Sequence, residues 1–312
     1  MPSILDKLSV EIDLHKLVSG HAAFSDFHVE EVLKTGPDQA TAICIFGGQK
    51  VVIKKFLDAE PARRILAAKA ELDTLAAFMN APPFRVNECL RAFPELGLIV
   101  LTFAPGTRLS EAIKHAEFQE RMALMDLSGR WLRTYTTGRS EISHKFSPDW
   151  WIKKRITAFG QNQPKSLVEI FDPVLQQVQI LAAPLRGMSI TKAAIHGDYS
   201  SINAHYHDGT IYGVDIQGKA RLPIVQDVAK FLVWTQLHTP LQHTGDIDFI
   251  YGIAEPDVSA FLASDVLPEN EIDTFLPFFI GLQILGSMPP LRKGNIALQR
   301  AQKLAATFIE TS

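Results

Sequence analysis

After Gly106 the sequence reads mostly as helices, and the feature that most restricts the fold is the place where that pattern breaks. Ile195-His196-Gly197-Asp198-Tyr199-Ser200-Ser201-Ile202-Asn203 is followed by a short run to His207, the pair Asp208-Gly209, and a second run from Thr210 to Val214 that ends at Asp215. Asp-Gly between two such runs is a strong signal for a two-residue hairpin. A hairpin folds the chain back, so Asp215 is expected close to Asn203 and Asp198, with oxygen donors converging on one small volume. Asn203 and Asp215 offer hard oxygens suited to Mg²⁺. Asp198, at the start of the loop, is placed to accept a proton from a hydroxyl.

The first third has a different character. His28–Lys34 and Ala40–Phe46 read as strands around the turn signal Thr35-Gly36-Pro37-Asp38. Gly47-Gly48 marks a second turn, before a β-branched strand, Val51–Phe56. A helix is expected from Pro61 to Met79, stopped by Asn80-Ala81-Pro82-Pro83, then strands over Arg85–Ala92 and Leu98–Phe103. Ala104-Pro105-Gly106 is the composition break that suggests a boundary between lobes. Helices are expected over Leu109–His115, Phe118–Thr136, Pro148–Phe159, Val168–Leu181 and Pro223–His238, with a polar loop at Gly160–Lys165. These patterns predict an α+β chain with a small β-rich lobe, 1–103, and a larger, mostly helical lobe, 104–312.

Composition narrows the classes of function. At 312 residues the chain is about two domains long. With 46% apolar and 21% charged residues it should fold along most of its length. A net charge of −3 supplies no basic field for a nucleic acid or an anionic membrane. Cys44 and Cys89 lie in apolar, strand-like stretches and read as buried reduced thiols, not a disulfide. Met1–Phe27 matches neither a secretory signal nor an Arg-rich transit peptide. The longest apolar stretch, Phe275–Met288, carries Pro277 and Gln283 and reads as a buried core helix. The expectation is a soluble, cytoplasmic protein.

His196-Gly197-Asp198, with Asn203 five residues after the aspartate, resembles the H-G-D-x-x-x-x-N catalytic loop of the aminoglycoside phosphotransferase and choline kinase-like family. In that family the loop is followed by a hairpin, a metal-binding aspartate, and a proline and second aspartate that open a helix. Asp215, Pro223 and Asp227-Val228-Ala229 stand here in that order. Upstream, Val51-Val52-Ile53-Lys54 is similar to the strand bearing the ATP-contacting lysine, and Glu71 falls in the helix whose glutamate pairs with it. Lys55 is the competing choice for Lys54, because neighbouring strand residues point to opposite faces. Leu98–Gly106 resembles the family's hinge, so Thr102, Phe103 and Ala104 are expected where backbone groups meet adenine. The resemblance spans roughly Phe27 to Leu232.

It implies a bilobal, protein-kinase-like fold and an ATP-dependent phosphotransferase that uses Mg²⁺ and a small-molecule hydroxyl acceptor. Asp198 is then the base, Asn203 and Asp215 the metal ligands, and His196 and Asp227 structural supports of the loop. The sequence departs from the family pattern at three places. The first hairpin, Lys34–Ala40, has one glycine; Ile216-Gln217-Gly218 follows Asp215; and Arg221-Leu222 replaces the usual Gly-Asp before Pro223.

Blander readings exist for each residue. Asp198, Asn203 and Asp215 also suit turns and caps, Lys54 and Glu71 could be solvated charges, and Asp149-Trp150-Trp151 reads as core packing before an acceptor pocket. Two other functions are compatible with these residues: a nucleotide-binding pseudokinase, and a metallohydrolase built on His196, Asp198, His205 and His207. No Walker A motif, G-x-S-x-G elbow or Cys-x-x-Cys pair is present.

Overall fold

The computed structural model describes residues 4–216, 221–242, 246–288 and 295–312. Gln217 and Gly218, part of the departure noted after Asp215, lie outside the described residues. The chain divides into two compact units: Met1–Gly106 with His207–Gly218, and Thr107–Tyr206 with Lys219–Ser312.

The first unit begins with helix α1 (Ile4–Val18), which the sequence reading did not anticipate. Its Leu14 and Val18 are buried while Leu8 and Ile12 are exposed. Apolar residues on more than one face blur the helical period. Strands β1 (His28–Lys34), β2 (Gln39–Phe46) and β3 (Gln49–Phe56) follow, then helix α2 (Pro61–Ala76) with proline in its first turn. The helix ends three residues short of the expected Met79. Strands β4 (Asn80–Ala81), β5 (Phe84–Val86), β6 (Cys89–Phe93) and β7 (Leu98–Thr102) complete the N-terminal segment. The main sheet is antiparallel in the order β1-β2-β3-β7-β6. One face is the core of the unit: Val51, Ile53, Leu98 and Val100 pack with Leu14 and Val18 of α1 and with Phe24 and Phe27.

The single strand expected over Arg85–Ala92 is two strands. The chain changes partner at Asn87–Glu88: Val86 pairs with Gly213, while Cys89 pairs with Leu101. The backbone N–H of Asn87 still donates to the Gly213 carbonyl at 3.1 Å. Of the two thiols, Cys44 is buried and Cys89 half-buried, and both are free.

The second unit opens with β8 (Thr107–Arg108), α3 (Leu109–His115), α4 (Phe118–Thr136), β9 (Ser140–Ser143), α5 (Pro148–Phe159), α6 (Lys165–Ala182), β10 (Ile190–Ala194) and β11 (Ala204–His207). Strand β12 (Thr210–Gly213) belongs to the first unit, where it lies parallel to β5. The second unit resumes with β13 (Arg221–Pro223), α7 (Val225–His238), β14 (Phe249–Ile250), β15 (Ile253–Ala254), α8 (Glu255–Leu262), α9 (Glu269–Thr274), α10 (Leu276–Ser287) and α11 (Asn295–Thr311). Strands β13, β10 and β9 form a small antiparallel sheet. β9 and β13 were not anticipated, and α6 starts three residues before the expected Val168.

Helix α10 is buried from Leu276 to Leu285, as expected of a core helix, and packs on α5, α6 and α7. A second seam joins α4 to α8. Gly129 lets the helices meet, since a Cβ there would run into the Phe261 carbonyl and the Ser264 hydroxyl. Beside it Arg121, fully buried, makes a two-pronged pair with Asp257 at 2.8 and 2.7 Å and donates to the Thr239 carbonyl at 2.8 Å. Among the described residues, no helix is long and apolar enough to cross a membrane.

Candidate active site

In the first unit, strand alternation decides what Lys54 can do. Val51 and Ile53 point into the core, so Lys54 leaves from the other face. It is only 5% exposed, and its ammonium sits 2.6 Å from Oδ1 of Asp215. Lys55 is half-buried. Asp215 follows β12 and has a φ of +65°, the left-handed region that aspartate tolerates better than most side chains. The turn before β12 also behaves as its sequence demands: Asp208 and Gly209 have φ of +44° and +73°, as a type I′ hairpin turn requires.

Glu71 lies on α2, half-buried. At the end of β7, Thr102 is engaged with Glu88: its N–H donates to the Glu88 carbonyl at 2.9 Å, and its hydroxyl accepts the Glu88 N–H at 2.8 Å. Phe103 is half-buried with the Lys50 ammonium 4.9 Å above its ring, and Ala104 is buried.

In the second unit the loop 195–203 is held from below. Tyr199 is fully buried, stacked between Trp131 at 4.9 Å and Phe231 at 5.0 Å, and donates its hydroxyl to the Ser128 carbonyl at 2.9 Å. Burial, together with the nearby Asp227 charge, keeps its phenol protonated far above the ordinary range. Asp227, fully buried in the first turn of α7, accepts the Gly197 N–H at 3.0 and 3.1 Å on its two oxygens. Burial raises its pKa, an effect opposed by His196 and by the N–H groups of Gly197, Tyr199 and His196. His196 is buried among Trp131, Tyr135 and Tyr199. Gly197 itself takes a φ of +78°, which only glycine adopts at no cost.

The products of this bracing are Asp198 and Asn203. Asn203 closes a short 3₁₀ turn and donates its side-chain amide to the Asp198 carbonyl at 2.8 Å and to Asp198 Oδ2 at 3.0 Å. With Nδ2 so occupied, its Oδ1 is the acceptor left for a cation. The other Asp198 oxygen, Oδ1, is 2.6 Å from the ammonium of Lys230 on α7. Lys230 was missed by the sequence reading. The available signal was its place three residues after Asp227, which puts both on neighbouring positions of one helix surface.

The structure thus brings together Lys54 with Asp215 in one unit, and Asp198 with Asn203, Lys230 and the Asp227-braced loop in the other. The donors on Asn203 and Asp215 are hard oxygens, the chemistry Mg²⁺ prefers. Among the described residues, no group of three or more His, Cys, Asp or Glu side chains gathers so as to hold a metal ion, so the histidine-based metallohydrolase set is not assembled. His207 instead lies against Asp208 at 3.5 Å, half-exposed.

No family model and no curated protein matches the sequence. Solved structures do match the fold, and aminoglycoside phosphotransferases and a choline/ethanolamine kinase family protein are among them. The aminoglycoside phosphotransferase APH(4)-Ia aligns at 14% identity with a TM-score of 0.62, over 98% of this chain and 99% of its own. An amicoumacin kinase solved with AMP-PNP, Ca²⁺ and Ami aligns at 16% identity and 0.63, over 98% and 96%. A choline/ethanolamine kinase family protein from Mesorhizobium loti aligns at 13% identity and 0.62, over 97% and 95%. The chain therefore has the α+β, kinase-like fold that the sequence resemblance implied.

Proposed function

We propose that the protein is an ATP-dependent phosphotransferase that moves the γ-phosphoryl group of ATP to a hydroxyl of a small molecule. The observation that carries this reading is the buried lysine on β3 joined to Asp215, a residue far along the chain, at 2.6 Å. A buried lysine beside a carboxylate puts a phosphate-seeking cation next to a hard oxygen donor for a divalent cation, the two charges that a bound Mg²⁺-nucleotide calls for. The fold supports the same conclusion, since the proteins sharing it are small-molecule kinases, one solved with a nucleotide analogue and a divalent cation.

In this reading residues 1–103 form the nucleotide-binding lobe and 104–312 the catalytic and acceptor-binding lobe. Lys54, supported by Glu71 on α2, holds α- and β-phosphate oxygens, and Thr102, Phe103 and Ala104 flank the adenine. Asn203 and Asp215 would hold Mg²⁺, which when bound would offset the negative charge on the phosphate oxygens. Asp198 orients the acceptor hydroxyl and takes its proton. As the new O–P bond forms, the bond from the γ-phosphorus to the β–γ bridging oxygen breaks, and ADP leaves. Because the transition state is loose, the chain contributes mainly position and fixed charge. The free thiols of Cys44 and Cys89 support a reducing, cytoplasmic setting.

The test is ADP release with a panel of hydroxylated amines and sugars, run beside thermal melting with ATP·Mg²⁺. The reading expects stabilisation by ATP·Mg²⁺ that Asp215→Asn removes, and acceptor-dependent ADP. Stabilisation without turnover would instead favour the pseudokinase, and the absence of both effects would overturn nucleotide binding altogether.

A further inference from the structure

We infer that Lys230 is a positioning residue for Asp198, holding the carboxylate in the orientation that meets the acceptor hydroxyl; the inference rests on the proposed role of Asp198 as base. The Asp198 side chain is 51% exposed, and a half-exposed aspartate at a loop tip is free to rotate unless something holds both oxygens. Two donors do. Lys230 Nζ takes Oδ1 at 2.6 Å, and the Asn203 amide takes Oδ2 at 3.0 Å. Each carboxylate oxygen has a second lone-pair site, so the clamp fixes the plane of the group and still leaves room for a hydroxyl proton.

Lys230 can serve as a reference point because its helix is anchored to the same loop. Val228, Ala229, Phe231 and Leu232 around it are buried, and Asp227 is bonded to the Gly197 N–H. One helix thus sets both the backbone of the loop and the direction of its carboxylate. A stability role alone does not account for the pair: with side chains 32% and 51% exposed, an ion pair of this kind adds little to folding. Its effect should fall on geometry.

The test uses the full chain with Lys230→Met, Lys230→Gln and Lys230→Arg, measuring ADP release from ATP·Mg²⁺ with hydroxylated acceptors and with water. Lys230→Met should lower kcat roughly 10- to 100-fold, the scale of a misplaced catalytic group, while KM for ATP stays within about twofold. Lys230→Arg should recover most of the loss, and the melting midpoint of Lys230→Met should stay within about 3 °C of wild type. Lys230→Gln stands in for Lys230→Met should that variant fail to fold. A neutral variant with wild-type kcat, or one altered only in KM, overturns the inference and leaves the phosphotransferase reading intact. A wild type that releases no ADP, or an Asp198→Asn variant with full activity, overturns that reading and the inference with it.

Discussion

Lys54 and Lys55 are neighbours of the same type, and burial separates them. Lys54 is sealed against Asp215, whereas Lys55 stays half-buried. Lys54→Met should therefore cut kcat/KM for ATP by roughly 100-fold, the effect of losing a charged contact to phosphate, while Lys55→Met should change it by less than about threefold. Steady-state kinetics on the two variants checks this. Cys44 gives a second test at this scale. Burial, with Glu30 adding to it, pushes its pKa from the ordinary 9.0 up to about 12. The folded state therefore keeps the proton that the unfolded chain gives up. The resulting stability is fully present below pH 9.0 and lost as pH rises towards about 12. Cys44→Ala should flatten the alkaline limb of the stability curve, and iodoacetamide at pH 8 should leave Cys44 unlabelled until the protein unfolds. That Asp198 and Asn203 meet was legible in the sequence because their relation is local, five positions apart in one loop. Lys230 was harder to see: its place three residues after Asp227 marks a helix surface, but nothing local says that this surface meets Asp198.

At the scale of elements, the helices read best where the sequence punctuates them. Helices α3, α4 and α5 run as expected at both ends, and α5 opens on Pro148 and stops at Gly160. Strands read worst where the partner is distant: β5 and β6 looked continuous because the switch from β12 to β7 is made by residues far away in sequence. The α4–α8 seam carries the prediction for this scale. Gly129→Ala would push a methyl into the Phe261 carbonyl, and overpacking of this kind costs about 1–3 kcal/mol. A melting midpoint lower by roughly 3–10 °C is expected, read by circular dichroism. Arg121→Met should cost more, about 3–5 kcal/mol, because it strands the Asp257 carboxylate in the core. Converting Asp257 to Leu as well should recover part of that loss.

For the whole molecule, pattern and composition carried the fold class further than the grouping of segments. The β-rich first third and the helical remainder are visible in the sequence. That His207–Gly218 groups with Met1–Gly106 follows from β12 lying along β5, which no local pattern encodes. A fold shared at 13–16% identity with small-molecule kinases shows how little of the chain the architecture fixes. The braced loop and the buried lysine are what this chain adds to the case. The proposed phosphotransfer turns on Asp198, which takes the proton of a hydroxyl as that hydroxyl receives phosphate. It is tested most directly by ³¹P NMR of the acceptor after incubation with ATP·Mg²⁺ and either wild type or Asp198→Asn. A phosphate ester is expected with wild type, and a rate lower by roughly 10²- to 10⁴-fold with the variant, which should still be stabilised by ATP·Mg²⁺. Ester formed equally fast by both proteins would contradict it.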